Sequence, residues 1–454
     1  MKNASNKMRC WYMTLLTSIL LLVPTACSTG GGNQSVQTEL PSAEASSLTY
    51  ATMYPEKVDR GAIESFNNEH PELQIEVKEY SGENAYNHLL AEITAGKIPD
   101  IIDMGSGWSI ELPYQRLVQL GYLEDLWPYI ENDPELGREG VIEAPLKSAE
   151  VDGKLCAVFG SVAIETLMGA EEIVGKRSHW SLEELMAAFA TMPEDSTILE
   201  YYCTKADMLR TMLRIDLDSY INWDTGRCSF DSDRFRATLE FTNSFPLEFE
   251  NTKEAAESIY EELAWRQRNG RQMLTSQFIC SLAHIVMADI EAGGRAAFVG
   301  YPTEDGRAGA IFVPSGPVLA MSASSQNKDA AWEFIRQIIL PQYNKRMLEA
   351  DRTLTAIPIN RKEYDLANRM DMEREPVEMP FFAYGMITVP APTEDDLRRY
   401  DDLINSVERI SIFDKDVYDI VEDSCMYYFT GNKTLDETVQ LIQSRVSLYV
   451  NEQM

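Results

Sequence analysis

The folded part of the chain opens with SLTYATMY (residues 47–54), QIEVKEY (74–80) and GKIPDIIDM (96–104). Each stretch has the alternating or apolar pattern of a β-strand. Between them lie DRGAIESFNNEHPEL (59–73), whose apolar residues recur at helical spacing, and residues 84–95, a second predicted helix. Strand, helix, strand, helix and strand in this order indicate an α/β protein built on a parallel sheet.

Polar and aromatic side chains follow two of these predicted strands. Tyr54 ends the first strand, and Asp103, Ser106 and Trp108 lie at the end of the third. Open parallel sheets bind ligands in the crevice beyond the carboxyl ends of their strands. We therefore predict that these four residues face a ligand. The alternatives are that Trp108 packs in the core and that Asp103 caps the next helix.

The middle of the chain adds further predicted strands and helices. A turn followed by an extended segment is predicted in VDGKLCAVFGSVAIETLMG (151–169), and strands are predicted at 272–281 and 283–287. Ser181 and Glu184 form the S-x-x-E pattern of a capping box, which predicts a helix beginning there. The last 60 residues have helical periodicity.

The N-terminus has the organisation of a secretory signal. Three basic residues and no acidic one precede an apolar run at residues 11–23, and two small residues then lead directly to Cys27. The run is shorter than the roughly 20 apolar residues that span a bilayer. The segment resembles a bacterial lipobox, whose cysteine is diacylated, although Pro24 stands where such boxes usually carry leucine. We predict a signal peptide at 1–26 and lipidation of Cys27; the alternative is an ordinary signal peptide in which Cys27 is incidental.

A linker is predicted after Cys27. Residues 28–47 are rich in Gly, Ser, Thr and Gln, so they cannot form a core. A flexible chain of this length reaches roughly 25 Å. Two acyl chains on one cysteine suffice for stable attachment to a membrane. We therefore expect residues 27–47 to tether a folded part that begins near Leu48 to the extracellular face of the cell membrane.

The net charge of the chain limits the classes of molecule that it can bind. The chain carries 40 basic and 72 acidic residues, a net charge of −32, and removal of the first 26 residues leaves 37 basic against 72 acidic ones. Such a surface repels nucleic acid and anionic lipid, so neither is expected to bind, and membrane attachment is expected through the lipid anchor only. An apolar content of 44% is ordinary for a globular protein. The length is enough for two or three hydrophobic cores.

Motifs for catalysis, metals and cofactors are missing from the sequence. Five cysteines follow Cys27, without C-x-x-C spacing, so a disulfide framework is not predicted; a single Cys203–Cys228 pair is the one considered. The sequence has no H-E-x-x-H, no G-x-S-x-G and no glycine-rich phosphate loop. We expect no metal and no cofactor.

Eight segments, taken in order, resemble the family 1 extracellular solute-binding proteins, which are the sugar-type receptors of ABC importers. They are PDIIDM, GYLEDLWPYI, DGKL with the apolar stretch after it, WSLEEL, INWDTGRCSFDS, VGYPTEDG, NKDAAWEFIRQII and GNKTLDETVQLIQSRVSLYVNE. The resemblance covers nearly everything after Leu48, and it depends on the order of the segments because none is diagnostic alone. It implies a two-lobed, hinge-bending α/β fold of the type II periplasmic-binding-protein kind.

The resemblance also implies that both lobes are discontinuous. The chain would cross between them near residues 156–160, 308–314 and 355–358. The expected N-terminal lobe comprises 48–155 and 311–356, and the expected C-terminal lobe comprises 156–310 and 357–454.

Four further ligand contacts are implied by the resemblance. Glu165 matches an acidic residue near the hinge that accepts hydrogen bonds from sugar hydroxyls, although two extra residues precede it here. Tyr418 matches the stacking aromatic of the C-terminal helices, and Trp223 and Tyr301 lie in segments near the cleft in relatives. Aromatic faces pack on the C–H faces of sugar rings, and carboxylates accept hydroxyl hydrogens. Packing beneath the cleft is the alternative for each.

Two classes of function remain open at this point. The resemblance implies a monomeric receptor, without catalysis, that delivers a carbohydrate to the permease subunits of an ABC importer. The alternative is an extracellular glycan-acting enzyme that uses Asp103 and Glu165 as a carboxylate pair. Within the binding class, a peptide, a polyol or an acidic sugar is also possible. The few basic residues at the predicted strand ends argue against an anionic ligand.

Overall fold

The structure is a computed structural model that describes residues 46–82, 84–105, 109–200, 203–223, 225–249, 261–263, 265–341, 356–381 and 385–453. The predicted signal peptide, Cys27, Ser106 and Trp108 lie outside the described residues. Residues 45–454 pack as one unit. The first strand begins at Ser46, so the last two residues of the predicted linker belong to the folded part.

The described part alternates strands and helices. In chain order, the strands are Ser46–Thr52 (β1), Leu73–Glu79 (β2), Ile101–Asp103 (β3), Glu150–Val151 (β4), Lys154–Leu155 (β5), Ala157–Ala170 (β6), Ile221–Asn222 (β7), Arg227–Cys228 (β8), Thr275–Ile279 (β9), Ala296–Phe298 (β10), Ile311–Met321 (β11), Ile357–Pro358 (β12), Val377–Phe381 (β13) and Gly385–Val389 (β14).

The α-helices are Arg60–Glu69 (α1), Ala85–Thr94 (α2), Tyr114–Gln119 (α3), Trp127–Asn132 (α4), Glu143–Lys147 (α5), Glu171–Val174 (α6), Leu182–Phe189 (α7), Lys205–Asp216 (α8), Asp233–Asn243 (α9), Ala283–Ala292 (α10), Lys328–Ile335 (α11), Arg361–Glu373 (α12), Glu394–Ser406 (α13), Lys415–Phe429 (α14) and Leu435–Gln453 (α15). Among the described helices, none combines the length and the apolar character that crossing a bilayer requires.

A central mixed sheet organises the fold. Its strand order is β2-β1-β3-β11-β6-β10, and β9 and β12 also pair with β6. Strand β1 is parallel to β2 and β3, whereas β11 is antiparallel to both β3 and β6. All five elements predicted from residues 47–104 are present, and the predicted α/β class is confirmed. Their apolar residues, such as Leu48, Phe66 and Ile101, pack in one large core on this sheet.

Two long strands connect the two ends of this sheet. Near its start, β6 pairs with the part of β11 that lies beside β3, and its later residues pair with β9 and β10. The register between β6 and β11 shifts between Ser315 and Val318, where Gly316 has φ of 93°. Such a bulge bends a strand pair locally. It lies near the expected crossings between lobes, whose boundaries stay a prediction.

The helix cap predicted from the sequence at Ser181 and Glu184 is confirmed. The Ser181 hydroxyl accepts a hydrogen bond from the Glu184 amide (3.1 Å), and the Glu184 carboxylate accepts one from the Ser181 amide (2.8 Å). This is the predicted capping box, and α7 begins directly after it. Trp180, next to the cap, is fully buried, and its indole N–H donates to the Gly300 carbonyl (2.9 Å).

The strand predicted at 283–287 is wrong, because these residues begin helix α10. A run of five residues, four of them apolar, fits a strand or a buried helix equally well. A contact distant in sequence favours the helix: the Asp371 carboxylate accepts a hydrogen bond from the Ala283 amide (3.2 Å) and so satisfies a donor at the helix N-terminus. The hairpin of β13 and β14 has no counterpart in the sequence prediction.

The considered Cys203–Cys228 pair is also wrong, since both thiols are free. Cys203 precedes α8, while Cys228 lies on β8, which pairs with β7 beyond the other end of that helix. The twelve residues of α8 span about 18 Å. Two Cα atoms more than about 7 Å apart cannot be bridged by a disulfide.

Candidate ligand-binding cleft

A cavity of about 210 Å³, here called the central cleft, lies where distant segments of the chain meet. Residues 112–116 and 147–151 contribute one set of lining side chains. A second set comes from Arg214, Ile215, Leu217, Trp223 and Arg307, and a third from Glu408, Arg409, Ile410, Ile412 and Asp414. A pocket lined by apolar groups with convergent charged side chains is the expected form of a ligand site.

The third set lies on an extended segment that is hydrogen-bonded on two sides. The Ile110 amide donates to the Ser411 carbonyl (2.9 Å), and the Phe413 amide donates to the Ile110 carbonyl (2.7 Å). In the other direction, the Phe312 amide donates to the Arg409 carbonyl (2.8 Å). Residues 409–413 therefore join the loop after β3 to strand β11 and fix the position of Arg409 in the cleft.

Of the predicted site residues that the structure describes, Trp223 is the one that lines the central cleft. It lies in the turn between β7 and β8, where the Asn222 side chain accepts hydrogen bonds from the Thr225 amide (2.9 Å) and hydroxyl (2.8 Å). Gly226 in the same turn has φ of 67°, a value that glycine adopts without strain. The turn holds a partly buried indole at the cleft.

Glu165 reaches the central cleft through an ion pair. Its carboxylate accepts a hydrogen bond from Arg214, which lines the cleft, and both side chains are largely buried. Burial raises the pKa of Glu165, although the charge of Arg214 opposes this effect. Glu165 and Tyr301 also line a second cavity of about 320 Å³, together with Glu200 and Ser276.

Tyr301 and Tyr418 are both buried. They are 4% and 3% exposed, respectively. The Tyr418 ring lies 4.8 Å from the ring of Phe413 and 5.8 Å from the Arg210 guanidinium. Burial raises the pKa of both phenols. Neither ring lines the central cleft, and Tyr301 lines the second cavity instead.

Tyr54 and Asp103 lie at the strand ends, as their positions in the sequence predict. The Tyr54 hydroxyl donates to the Glu111 carboxylate. Asp103, 2% exposed, accepts hydrogen bonds from the Thr52 hydroxyl (3.1 Å) and the Val318 amide (3.4 Å). Burial raises the pKa of Asp103 to about 7 against the effect of these hydrogen bonds.

The sheet register separates the two carboxylates considered for catalysis. Asp103 pairs with Leu319, and Leu319 pairs with Val158 on β6. Glu165 is seven residues further along β6, which corresponds to about 23 Å at ~3.3 Å per residue. Glycosidases hold their two carboxyl groups roughly 5–9.5 Å apart. Asp103 and Glu165 therefore cannot act as such a pair in this structure.

Four arginines line the central cleft, and none of them was predicted from the sequence; Arg116 comes from α3. Arg214 comes from α8, Arg307 from the loop between β10 and β11, and Arg409 from the extended segment. Arg307 Nε and Arg409 Nη2 both donate to Oδ2 of Asp305, at 2.7 and 2.6 Å. Burial raises the pKa of Asp305, but the hydrogen bonds from Arg307 and Arg409 prevail and hold it at about 2. No local pattern marks these arginines, because they are more than 90 residues apart from one another in the chain.

Comparisons with known proteins agree with this architecture. A family model described as bacterial extracellular solute-binding protein matches residues 61–372. The sugar-binding protein MalE from the phytopathogen Xanthomonas citri has a similar structure, with a TM-score of 0.53, 18% identity and coverage of 90% of this chain and 98% of that one. A de novo designed cysteine esterase is also similar, with a TM-score of 0.51, 15% identity and coverage of 90% and 99%. No curated protein sequence matches. At these identities the structural likeness extends to the fold alone.

Proposed function

The chain belongs to the family of bacterial extracellular solute-binding proteins, and from this premise we propose that it captures a carbohydrate in the central cleft and delivers it to an ABC importer. The observation that carries the proposal is the meeting of segments far apart in the chain at one polar cleft, within the fold of the matched family. The similar structure from Xanthomonas citri is of a sugar-binding protein. We infer that the same class of ligand binds here.

Hinge closure is the proposed mechanism. The N-terminal lobe (48–155 and 311–356) would move relative to the C-terminal lobe (156–310 and 357–454). The bulge between Ser315 and Val318 in β11 lies near the proposed crossings between the lobes and supports bending there. Ligand would favour the closed form by its higher affinity for that form. Closure excludes water and so strengthens hydrogen bonds to sugar hydroxyls.

Binding without catalysis is proposed. The strand register places Asp103 and Glu165 too far apart to act together as the carboxylate pair of a glycosidase. The enzyme alternative depended on that pair. Each of the two carboxylates is also engaged by the protein, Asp103 by Thr52 and Glu165 by Arg214. The designed esterase that shares the fold was given its activity by design.

A saccharide screen tests the proposed function. A bound sugar should raise the midpoint of thermal unfolding, because ligand at 100 times its Kd adds about 2.7 kcal/mol to the unfolding free energy. Replacing Trp223 by alanine should weaken binding about tenfold to a hundredfold through lost apolar contact with the sugar ring. Trp265→Ala is the matched control, since Trp265 is exposed and does not line the cleft. If no saccharide shifts the midpoint, the proposal is wrong.

Scattering tests the mechanism. Saturating saccharide should decrease the radius of gyration in small-angle X-ray scattering, because ligand shifts the population toward the closed form. An unchanged scattering profile under conditions where calorimetry shows full occupancy would contradict hinge closure while leaving ligand binding intact.

Membrane attachment through Cys27 is proposed as well. Cys27→Ser should release the protein into the medium or leave the precursor uncleaved, because the acyl chains that hold it are then absent. Fractionation of cells expressing either form measures this. Cys10→Ser, a second cysteine of the same segment, is the control and should change nothing. Mature Cys27→Ser protein that still sediments with membranes would overturn the lipid anchor.

A further inference from the structure

We propose that Glu69, His70 and Glu333 form a binding site for a divalent metal ion of the zinc type. Each of the three side chains places one ligand atom within 4.8 Å of the other two. No metal was expected from the sequence, because Glu333 follows His70 by 263 residues. The inference goes beyond the proposed function, since none of these residues lines the central cleft.

The contact between His70 and Glu333 has the separation that a shared ion requires. Nε2 of His70 lies 3.2 Å from Oε1 of Glu333. Two ligand atoms of a tetrahedral zinc ion, each about 2.1 Å from the metal, are roughly 3.4 Å apart. The ion would replace the proton that this contact shares and release it to water. A carboxylate oxygen of Glu69 supplies the third ligand, and water supplies the fourth.

The imidazole ring of His70 is held in a fixed orientation. It stacks on the ring of Phe66, with 4.4 Å between ring centroids and 28° between ring planes. The His70 amide donates to the Phe66 carbonyl (2.9 Å), and the His70 carbonyl accepts from the Leu73 amide (3.0 Å) and the Gln74 side chain (2.9 Å). A carboxylate oxygen of Glu72 lies 3.9 Å from Nδ1. Histidines that bind metals commonly have a carboxylate near the second ring nitrogen, which leaves Nε2 for the ion.

The buried core beneath the site also positions Glu333. Phe334, the next residue on α11, packs edge-to-face on Phe66, with 5.9 Å between ring centroids and 86° between ring planes. Both rings are buried. Phe66 therefore contacts the ring of His70 and also the residue that follows Glu333. A site whose ligands are supported by packed side chains on helices keeps its geometry before the ion binds.

The charge of the site favours a cation. Within the described residues, neither Glu69 nor Glu333 forms an ion pair with a lysine or an arginine. Glu69 accepts a hydrogen bond from the Ser65 hydroxyl (3.1 Å). Arg336, three residues after Glu333, is engaged by Asp133 and Glu135. A bound dication would be the largest local charge and would balance both carboxylates.

The site lies at the end of the central sheet opposite to the predicted ligand residues. Leu73, three residues after His70, pairs with Ser46 at the start of β1, whereas Tyr54 follows the other end of that strand. The seven residues of β1 span about 20 Å. The ion would therefore join α1 to α11, one from each segment of the proposed N-terminal lobe (48–155 and 311–356), and would not contact a solute in the cleft.

The ligand atoms select among divalent ions. Zinc accepts imidazole nitrogen together with carboxylate oxygen, whereas calcium and magnesium take oxygen ligands. Zn²⁺ is therefore expected to bind at least tenfold more tightly than Ca²⁺ or Mg²⁺. Calcium that binds as tightly as zinc would contradict the assignment of His70 as a ligand.

Calorimetric titration of the full-length protein with zinc chloride, after removal of bound metal by a chelator, tests the site. His70→Gln and Glu333→Gln should each weaken zinc binding at least tenfold, because the loss of an outer partner of a metal ligand alone costs tenfold to a hundredfold. Zn²⁺ should also raise the thermal unfolding midpoint of the wild type more than that of either variant. Glu64→Gln and His88→Gln are the matched controls, since both side chains are exposed and lie on α1 and α2 outside the site. They should leave zinc affinity within twofold.

Two results would overturn the site: no heat of zinc binding to the wild type, or equal zinc affinity in the wild type and both site variants. Thermal unfolding without metal monitors folding of the variants. If His70→Gln lowers the midpoint by more than about 4 °C, Glu69→Gln takes its place, because the Glu69 side chain is exposed and its loss should be tolerated. Saccharide affinity should be the same with and without zinc, so failure of the metal site leaves the proposed function standing.

Discussion

Gly309→Ala is expected to destabilise the protein by about 3 kcal/mol or more, or to prevent folding. A Cβ atom on Gly309 would lie 1.7 Å from the carbonyl oxygen of Tyr301 and 2.6 Å from its carbonyl carbon. These are backbone atoms, and the Tyr301 amide already donates to the Gly309 carbonyl (2.7 Å). The clash can therefore be relieved only by moving the loop between β10 and β11.

The same substitution should also impair the cleft, because this loop carries Asp305 and Arg307. Urea denaturation of the purified variant measures the stability. Gly294→Ala is the matched control: its Cβ would meet no atom within 4 Å, so its effect should stay within about 0.5 kcal/mol. Equal stability of the two variants would mean that the close approach of Tyr301 and Gly309 is wrong.

The folded protein is expected to be more stable at pH 5 than at pH 7.5. Burial raises the pKa of Asp103 to about 7, of Asp414 to about 6 and of Glu291 to about 7. These carboxyls titrate near pH 4 in the unfolded chain. Between pH 4 and 7 the folded state therefore binds more protons, and its unfolding free energy falls as pH rises. Asp103 alone should account for about 3 kcal/mol.

Asp305 makes the unfolding free energy rise with pH instead of fall, but only below about pH 4. Its pKa is held at about 2, so the stability it contributes is fully present above pH 4 and is lost only as pH falls toward 2. The stability maximum is thus expected near pH 4–5.

Urea titrations at several pH values measure this dependence. Asp103→Asn should make the fall in stability between pH 5 and 7.5 less steep, by up to about 1.4 kcal/mol per pH unit. The Thr52 hydroxyl, which now donates to Asp103, can accept from the asparagine amide instead. The wild-type protein, titrated under the same conditions, is the reference for the slope. A wild-type protein that gains stability from pH 5 to 7.5 would contradict the prediction.

The family and the fold could be predicted from the sequence to a large extent. The two-lobed α/β fold that the resemblance implied is confirmed by the mixed sheet, the family match and the structure from Xanthomonas citri. Complete local signals, such as the Ser181–Glu184 capping box, were reliable because their physical cause lies within a few residues of the chain. The apolar run at 283–287 was not, since a carboxylate 88 residues away stabilises the helix there.

The candidate site was predictable only in part. Tyr54 and Asp103 lie at strand ends, as the topology of a parallel sheet requires, and Trp223 lines the central cleft. Tyr301 and Tyr418 were predicted to contact the ligand, and both rings are buried in the structure. Whether an aromatic ring faces a cleft or packs beneath it depends on neighbours from other elements, and the sequence pattern is the same in both cases.

The sequence by itself determined the alternation of strands and helices in residues 47–104, because hydrophobic periodicity and helix caps act between residues close in the chain. Only the tertiary structure decided the electrostatics of the cleft. Arg214, Arg307 and Arg409 lie on three separate elements, and their convergence on Glu165 and Asp305 results from packing across the whole fold. Composition alone predicted an acidic surface, whereas packing across the fold placed arginines paired with carboxylates in the cleft.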